Sequence, residues 1–201
     1  MVAFGREEAM TTEAKTVHRL KVTLRQVKPP VWRRIEVPSN IKVSDLADML
    51  EAAMGWLGGH LHAFEAHGVL YETPDGESFG FRRPLDERKV RLGEVLPEVK
   101  SKMRWHYDFG DGWEHDVIVE AIEQARTDVT YPICLTGKRA CPPEDCGGPW
   151  GYGNLLAALS DPTHEEHEEL TEWVGEDFDP ADFDADEATE DMRSARPLKG
   201  W

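Results

Sequence analysis

The segment VSDLADMLEAAMGWL, residues 43–57, carries the clearest periodicity in the chain. Its apolar residues recur at the three- and four-residue spacing of one helical face, and acidic residues lie between them. The apolar positions are Val43, Leu46, Ala47, Leu50, Met54 and Leu57. The pattern predicts an amphipathic helix that Ser44 or Asn40 caps at its start and Gly55 or Gly58 ends.

Strands are predicted on both sides of this helix. Residues 17–27 alternate apolar and polar side chains, and a second β-rich run at 31–37 follows the break at Pro29-Pro30. After the helix, residues 61–66 and 69–72 form two further short β-rich runs. The order strand, strand, helix, strand is typical of the opening of a β-grasp-like sheet, on which the helix would pack its Leu/Met stripe.

The rest of the chain changes in character along its length. Residues 103–107 and 113–121 predict a second hairpin around the turn at 108–112, whereas residues 134–154 predict a Gly/Pro/Cys-rich loop. The sequence therefore predicts an α+β fold: a mixed β-sheet followed by a loop-rich, helical, acidic C-terminal part. The expected organisation is a flexible arm at 1–16, one domain at 17–183 and an acidic tail at 184–201.

The charge of this 201-residue chain is concentrated in its last third. Residues 1–139 carry 20 Lys and Arg against 22 Asp and Glu, whereas residues 140–201 carry 3 against 17, a net charge of −14. A non-specific nucleic-acid binder needs a cationic surface, so binding to bulk duplex DNA is not expected. An acidic end more often serves solubility or contact with a partner.

Composition also bears on the compartment. The chain has no apolar run of membrane-spanning length, and its N-terminal residues lack the pattern of a signal peptide. Three cysteines, an odd number, suggest no disulfide framework. We therefore expect a cytoplasmic protein with no membrane partner.

The cysteines are the first candidate site. Cys141 and Cys146 have the spacing of a zinc hairpin, and the intervening Pro142-Pro143 presets the bend. Cys134 would be a third ligand, and the imidazole of His164, His167 or His115 would be the fourth. The alternative is that the cysteines are small buried side chains in a tight loop.

A second polar cluster is predicted around the strands. His60 and His62 are two residues apart and would share a face of a strand, while Asp108 and Asp111 lie in the hairpin turn that His115 follows. Such groups can bind a divalent ion or carry out acid–base chemistry. The alternative is structural: hydrogen-bonded histidines, and aspartates that cap their own turn.

Several ordered motifs, spread from about residue 17 to residue 183, resemble one family, the plasmid pRiA4b ORF-three-like proteins. They are PPVWRRI (29–35), AMGW (53–56) with HLHAF (60–64), YDFGDGWEH (107–115), ACPPEDCGG (140–148), DP (161–162) with HEEH (164–167), and FDP (178–180). The resemblance implies an α+β fold. It also implies that some relatives are associated with plasmids and other mobile elements, as passengers of insertion elements.

Two functions from different classes follow as hypotheses. The first is a non-catalytic interaction module that binds a macromolecular partner, since the chain contains no complete catalytic set. The second is a metal-dependent enzyme that uses the His, Asp and Cys groups. An enzyme requires these groups to converge on one concave site, so their arrangement discriminates the two.

Overall fold

The computed structural model describes residues 15–74, 84–175 and 177–198. The strands are β1 (Thr16–Leu24), β2 (Trp32–Pro38), β3 (His62–Ala66), β4 (Val69–Glu72), β5 (Leu85–Asp86), β6 (Lys102–Tyr107), β7 (Trp113–Gln124) and β8 (Ile133–Lys138). The helices are α1 (Val43–Met54), α2 (Leu92–Val95), α3 (Gly148–Ser160), α4 (His167–Val174) and α5 (Ala185–Ala195), with a 3₁₀ turn at Glu87–Lys89. Most of the predicted N-terminal arm lies outside the described residues.

The strands form one mixed sheet in the order β5-β4-β3-β6-β7-β1-β2-β8. Only the β4–β5 pair is parallel among the described ladders. The predicted α+β class is confirmed. The opening follows the predicted order β1, β2, α1, β3, but β6 and β7 separate β3 from β1 in the sheet.

Helix α1 forms where the periodicity predicts it. Its apolar stripe is buried in one hydrophobic cluster with side chains of the central strands, such as Leu20, Phe64 and Trp105. The helix ends at Gly55 in the left-handed region, at φ 89°. Two details of the prediction are wrong: the N-cap is Lys42, without a side-chain cap, and Leu57 lies beyond the helix end with 96% of its surface exposed.

The polar face of β1 also follows the alternation. Arginines in β1 and directly after it pair with carboxylates of neighbouring strands: Arg19 with Glu36 and Glu123, and Arg25 with Glu114 and Asp116. Charges of opposite sign thus alternate across this face of the sheet.

The C-terminal part contains more regular structure than predicted. Part of the predicted 134–154 loop is strand β8, which pairs with β2. The segment expected to be an acidic tail contains α5, whose Ala188 and Met192 are buried in the common core. Thr189 Oγ1 accepts a hydrogen bond from the Cys134 backbone N–H of β8, at 2.9 Å.

Candidate functional site

His60 lies where three segments meet at one edge of the molecule. The residue precedes β3, Asp108 follows β6, and Glu144 and Asp145 belong to the loop after β8. The Asp108 backbone N–H donates to the Leu61 carbonyl at 2.9 Å, which extends the β3–β6 pairing up to the site.

The Asp108 side chain is set by its own turn. The residue adopts a positive φ of 50°, which Asp tolerates better than most residues. Its Oδ1 accepts the Gly110 N–H at 2.9 Å, and its carbonyl accepts the Gly112 N–H at 2.7 Å. Asp108 thus makes the backbone hydrogen bonds of an aspartate that caps its own turn. The second carboxylate oxygen, Oδ2, faces His60 Nδ1 at 3.6 Å.

The 141–148 loop is held against the same turn by close contacts. Asp111 Oδ2 accepts the Gly147 N–H at 3.2 Å. Gly148, at φ 69°, passes so near Asp111 that a Cβ there would lie 2.3 Å from the Asp111 carbonyl oxygen. Trp56 Nε1 donates to the Pro142 carbonyl at 2.9 Å. These contacts fix Glu144 and Asp145 beside His60.

The imidazole of His60 has carboxylates on both sides. Its Nε2 lies 3.5 Å from Glu144 Oε2 and 3.9 Å from Asp145 Oδ1. The Tyr107 hydroxyl donates to Glu144 Oε1 at 3.0 Å. Burial raises the pKa of the Glu144 carboxyl, and the Tyr107 hydrogen bond and His60 oppose that shift. One ligand atom each from His60, Asp108 and Asp145 lie within 4.8 Å of one another.

The predicted partner of His60 lies in a different environment. The His62 ring contacts Glu51 at 3.4 Å through Nδ1 and Glu87 at 3.1 Å through Nε2. Burial alone would lower its pKa, but the hydrogen bonds with these two carboxylates raise the pKa to about 9. His62 is thus part of a buried ion-pair network, and Asp111 is used in holding the loop.

The predicted zinc ligands are not brought together. Among the described residues, which include all six, no three of the cysteines and of His115, His164 and His167 come within 4.8 Å as a ligand group. Cys134 lies against α5, and burial raises the pKa of its thiol to about 11 and that of Cys146 to about 12. His115 is fully buried against Trp105, and burial lowers its pKa to about 3.

The two remaining histidines serve local structure. His167 Nδ1 lies 2.7 Å from the Ala158 carbonyl, between α3 and α4, and His164 Nδ1 accepts the Glu166 N–H at 3.2 Å.

A separate cleft of about 620 Å³ opens next to Glu144. Its walls are the end of α1 (residues 52–57), residues 140–144 and side chains between Trp173 and Asp191. Among the described residues, the lining contains one cation, Arg33, and seven carboxylates, at Glu144, Asp177, Asp179, Asp182, Asp184, Glu187 and Asp191.

The lone cation of the cleft lining is already engaged. Arg33 is buried, donates from Nε to the Ala53 carbonyl at 2.8 Å and stacks over the Phe183 ring at 4.0 Å. Trp173, by contrast, is 49% exposed at the cleft, and Phe178 is partly buried there. The side chains that this cleft offers to a ligand are therefore mainly carboxylates and aromatic rings.

Comparison with known proteins shows the family to which this chain belongs. A family model described as plasmid pRiA4b ORF-3-like protein matches residues 16–187. The chain belongs to this family. The match starts at the first residue of β1 and ends within the first turn of α5. It includes the His60 cluster and, except for Ala188 and Asp191, the whole lining of the cleft.

Two similar proteins support the assignment to the pRiA4b ORF-3-like family. The uncharacterized protein y4hQ of Sinorhizobium fredii (strain NBRC 101917 / NGR234) is 45% identical over 168 residues, 83% of this chain and 85% of that protein. The crystal structure of MM3350 from Methanosarcina mazei Go1, a protein of unknown function, superposes with a TM-score of 0.77 at 38% identity. It covers 86% of this chain and 97% of that chain.

Sequence reasoning missed three parts of these sites. The zinc-hairpin interpretation uses Glu144 and Asp145 only as spacing between two thiols. An acidic pair in a stiff Pro-Pro loop is nevertheless a signal that could have identified them. No feature of the sequence singled out Trp173 as part of a cleft.

No helix within the described ranges has the length and apolar character needed to cross a membrane.

Proposed function

We propose that this pRiA4b ORF-3-like protein is a non-catalytic interaction module whose cleft binds a basic segment of a partner protein. The observation that carries the proposal is the lining of the cleft: seven carboxylates around exposed aromatic surface, with the single cation buried and engaged. Ammonium and guanidinium groups bind carboxylates by charge-assisted hydrogen bonds and aromatic faces by cation–π contact.

The form of the cleft favours a peptide segment. Its carboxylates extend from residue 177, before α5, to residue 191 within that helix, so they offer several positions along a strip. A chain with several Lys or Arg side chains matches such a strip. The net charge of −14 on residues 140–201 would also speed the approach of a basic partner by electrostatic steering.

The alternative of a metal-dependent enzyme with the predicted His/Asp/Cys set has less support. Its groups are divided among the His60 cluster, the His62 network and the aromatic core around His115, and no described group of three close ligand atoms contains a cysteine. An association with mobile elements stays a prediction for this chain.

The test measures the affinity of a labelled Lys/Arg-rich peptide by fluorescence anisotropy. Trp173→Ala should weaken binding about two- to fivefold, the size of a cation–π contact at an exposed site. Trp150→Ala is the matched control, because Trp150 is 90% exposed and lies outside the cleft. Replacing Glu187 by Gln and Asp191 by Asn should weaken binding further, whereas Glu168→Gln with Glu169→Gln on α4 removes the same charge elsewhere.

Equal loss in the cleft and α4 variants would refute the proposal, because it would mean that only net charge attracts the peptide. If a polyamine such as spermine displaced the labelled peptide as strongly, per positive charge, as unlabelled peptide does, the ligand would be a small cation instead.

A further inference from the structure

We infer that His60, Asp108 and Asp145, with Glu144 beside them, form a binding site for one divalent first-row transition-metal ion. This inference does not rest on the cleft proposal, although Glu144 also lines the cleft. Each residue comes from a segment fixed in place by contacts that do not involve the metal: the β3–β6 pairing, the Asp108 turn and the anchored 141–148 loop.

The spacing of the ligand atoms fits an ion. His60 Nδ1 lies 3.6 Å from Asp108 Oδ2, and its Nε2 lies 3.9 Å from Asp145 Oδ1. When one ligand atom is taken from each residue, the three atoms lie within 4.8 Å of one another. A tetrahedral ion with bonds of about 2.1 Å places its ligands about 3.4 Å apart. Because one nitrogen of His60 would bind the ion, side-chain rotation would have to shorten ligand separations of up to 4.8 Å to about 3.4 Å to close the site around it.

The polar groups are incompletely satisfied by each other. Asp108 is 7% exposed, yet its Oδ2 meets His60 beyond normal hydrogen-bond length. Glu144 Oε2 is likewise buried, and His60 Nε2 at 3.5 Å makes no well-formed hydrogen bond with it. A neutral imidazole can donate a hydrogen bond from only one nitrogen. A cation between these groups would satisfy the oxygens that the protein leaves poorly paired.

The donor set selects the ion. An imidazole nitrogen favours Zn²⁺, Ni²⁺ and related ions over Mg²⁺ and Ca²⁺, which prefer oxygen ligands alone. The cysteines are absent from this set, so the ligands differ from those that the sequence predicted. Because Asp145 has 78% of its side chain exposed, the outer side of the ion would face solvent.

The test titrates Zn²⁺ into the chelator-treated full chain by calorimetry, with one site per chain expected. Asp145→Asn is the decisive variant, because the residue is exposed and Asn tolerates its positive φ of 58°. Affinity should fall by at least about tenfold, as when a metal site loses a supporting group. His60→Asn should do the same, with His67→Asn and Asp128→Asn as exposed controls that leave affinity unchanged.

A second readout separates this site from a thiolate site. Co²⁺ bound by nitrogen and oxygen ligands should show no sulfur-to-metal charge-transfer absorption, and Cys146→Ser should leave the Zn²⁺ affinity unchanged. Loss of affinity in Cys146→Ser but not in Asp145→Asn would overturn the inference, as would the absence of saturable one-to-one binding. Thermal unfolding of each variant without metal confirms that it is folded.

Discussion

His60 and His62 show how much the surroundings of a side chain govern its chemistry. They are two residues apart, yet His60 faces Asp108 and the 144–145 pair, whereas His62 lies between Glu51 on α1 and Glu87. Thr73 Oγ1 also donates to Glu87, at 2.6 Å, so the Glu87 carboxylate is held on two sides. The His62 network joins α1, β3 and the 3₁₀ turn by charge.

We predict that His62 makes stability depend on pH between neutral and alkaline conditions. Its folded-state pKa of about 9 lies above the unfolded value of about 6.5, because Glu51 and Glu87 stabilise the imidazolium. This contribution is therefore fully present below about pH 6.5 and is lost as pH rises through about 9. It amounts to at most about 3 kcal/mol.

Urea unfolding of wild type and His62→Gln across this range checks the prediction. The stability difference between the two should be largest near the acidic end and should shrink toward the alkaline end. His67→Gln, at an exposed position, should follow the wild type throughout. A His62→Gln difference that stays constant with pH would contradict the assigned ion pairing.

Helix α5 shows how an acidic element packs against the rest of the fold. The helix packs Ala188 and Met192 into the core, and its Asp184 N-cap accepts the Asp186 and Glu187 N–H groups. Arg196, at the C-cap position, reaches Asp45 on α1 at 2.5 Å. Apolar burial, backbone capping and the ion pairs of Arg196 with Asp45 and Asp48 therefore hold a segment whose charge alone predicts a tail.

We predict that Met192→Ala destabilises the protein by about 2–4 kcal/mol, the usual cost of truncating a fully buried Met. The residue has no exposed surface, so its removal leaves a cavity between α5 and the core. Chemical denaturation measures the loss, and Ser194→Ala on the exposed side of α5 should change stability little. A Met192→Ala variant within about 0.5 kcal/mol of wild type would mean that α5 contributes little to the folded state.

The elements differ in how far the sequence could predict them. α1 was predictable because its apolar spacing is local, and the 108–112 turn because Asp and Gly tolerate its backbone angles. β8 was not, since Ile133–Lys138 contains Cys and Gly and lacks a clean alternation, and its pairing with β2 is set by distant residues. The sequence likewise makes His60 a candidate but does not place Asp145 beside it. Their proximity depends on how Gly147 and Gly148 anchor the loop, which is set by distant residues.

At the scale of the molecule, most arginines of the described residues pair with carboxylates. On the polar face of the sheet, Arg34 pairs with Glu120 at 2.5 Å and Arg104 with Glu114 at 2.6 Å, in addition to the pairs of β1. The excess negative charge lies in residues 140–201, which line much of the cleft. The arginines on this face of the described strands are therefore already paired.

We therefore predict that the protein does not bind bulk duplex DNA near physiological salt. Binding to duplex DNA is driven by release of counterions as Lys and Arg contact phosphates, and these arginines already have carboxylate partners. The carboxylates of the acidic part repel phosphates within a Debye length of about 8 Å at about 0.15 M salt.

Anisotropy with a labelled random-sequence duplex should show no saturable binding at micromolar protein. The basic peptide of the cleft test is the positive control, because the same acidic surface should bind it. Micromolar affinity for the duplex that falls steeply as salt is raised would mean that the ion pairs of the sheet open to phosphates, and would contradict the prediction.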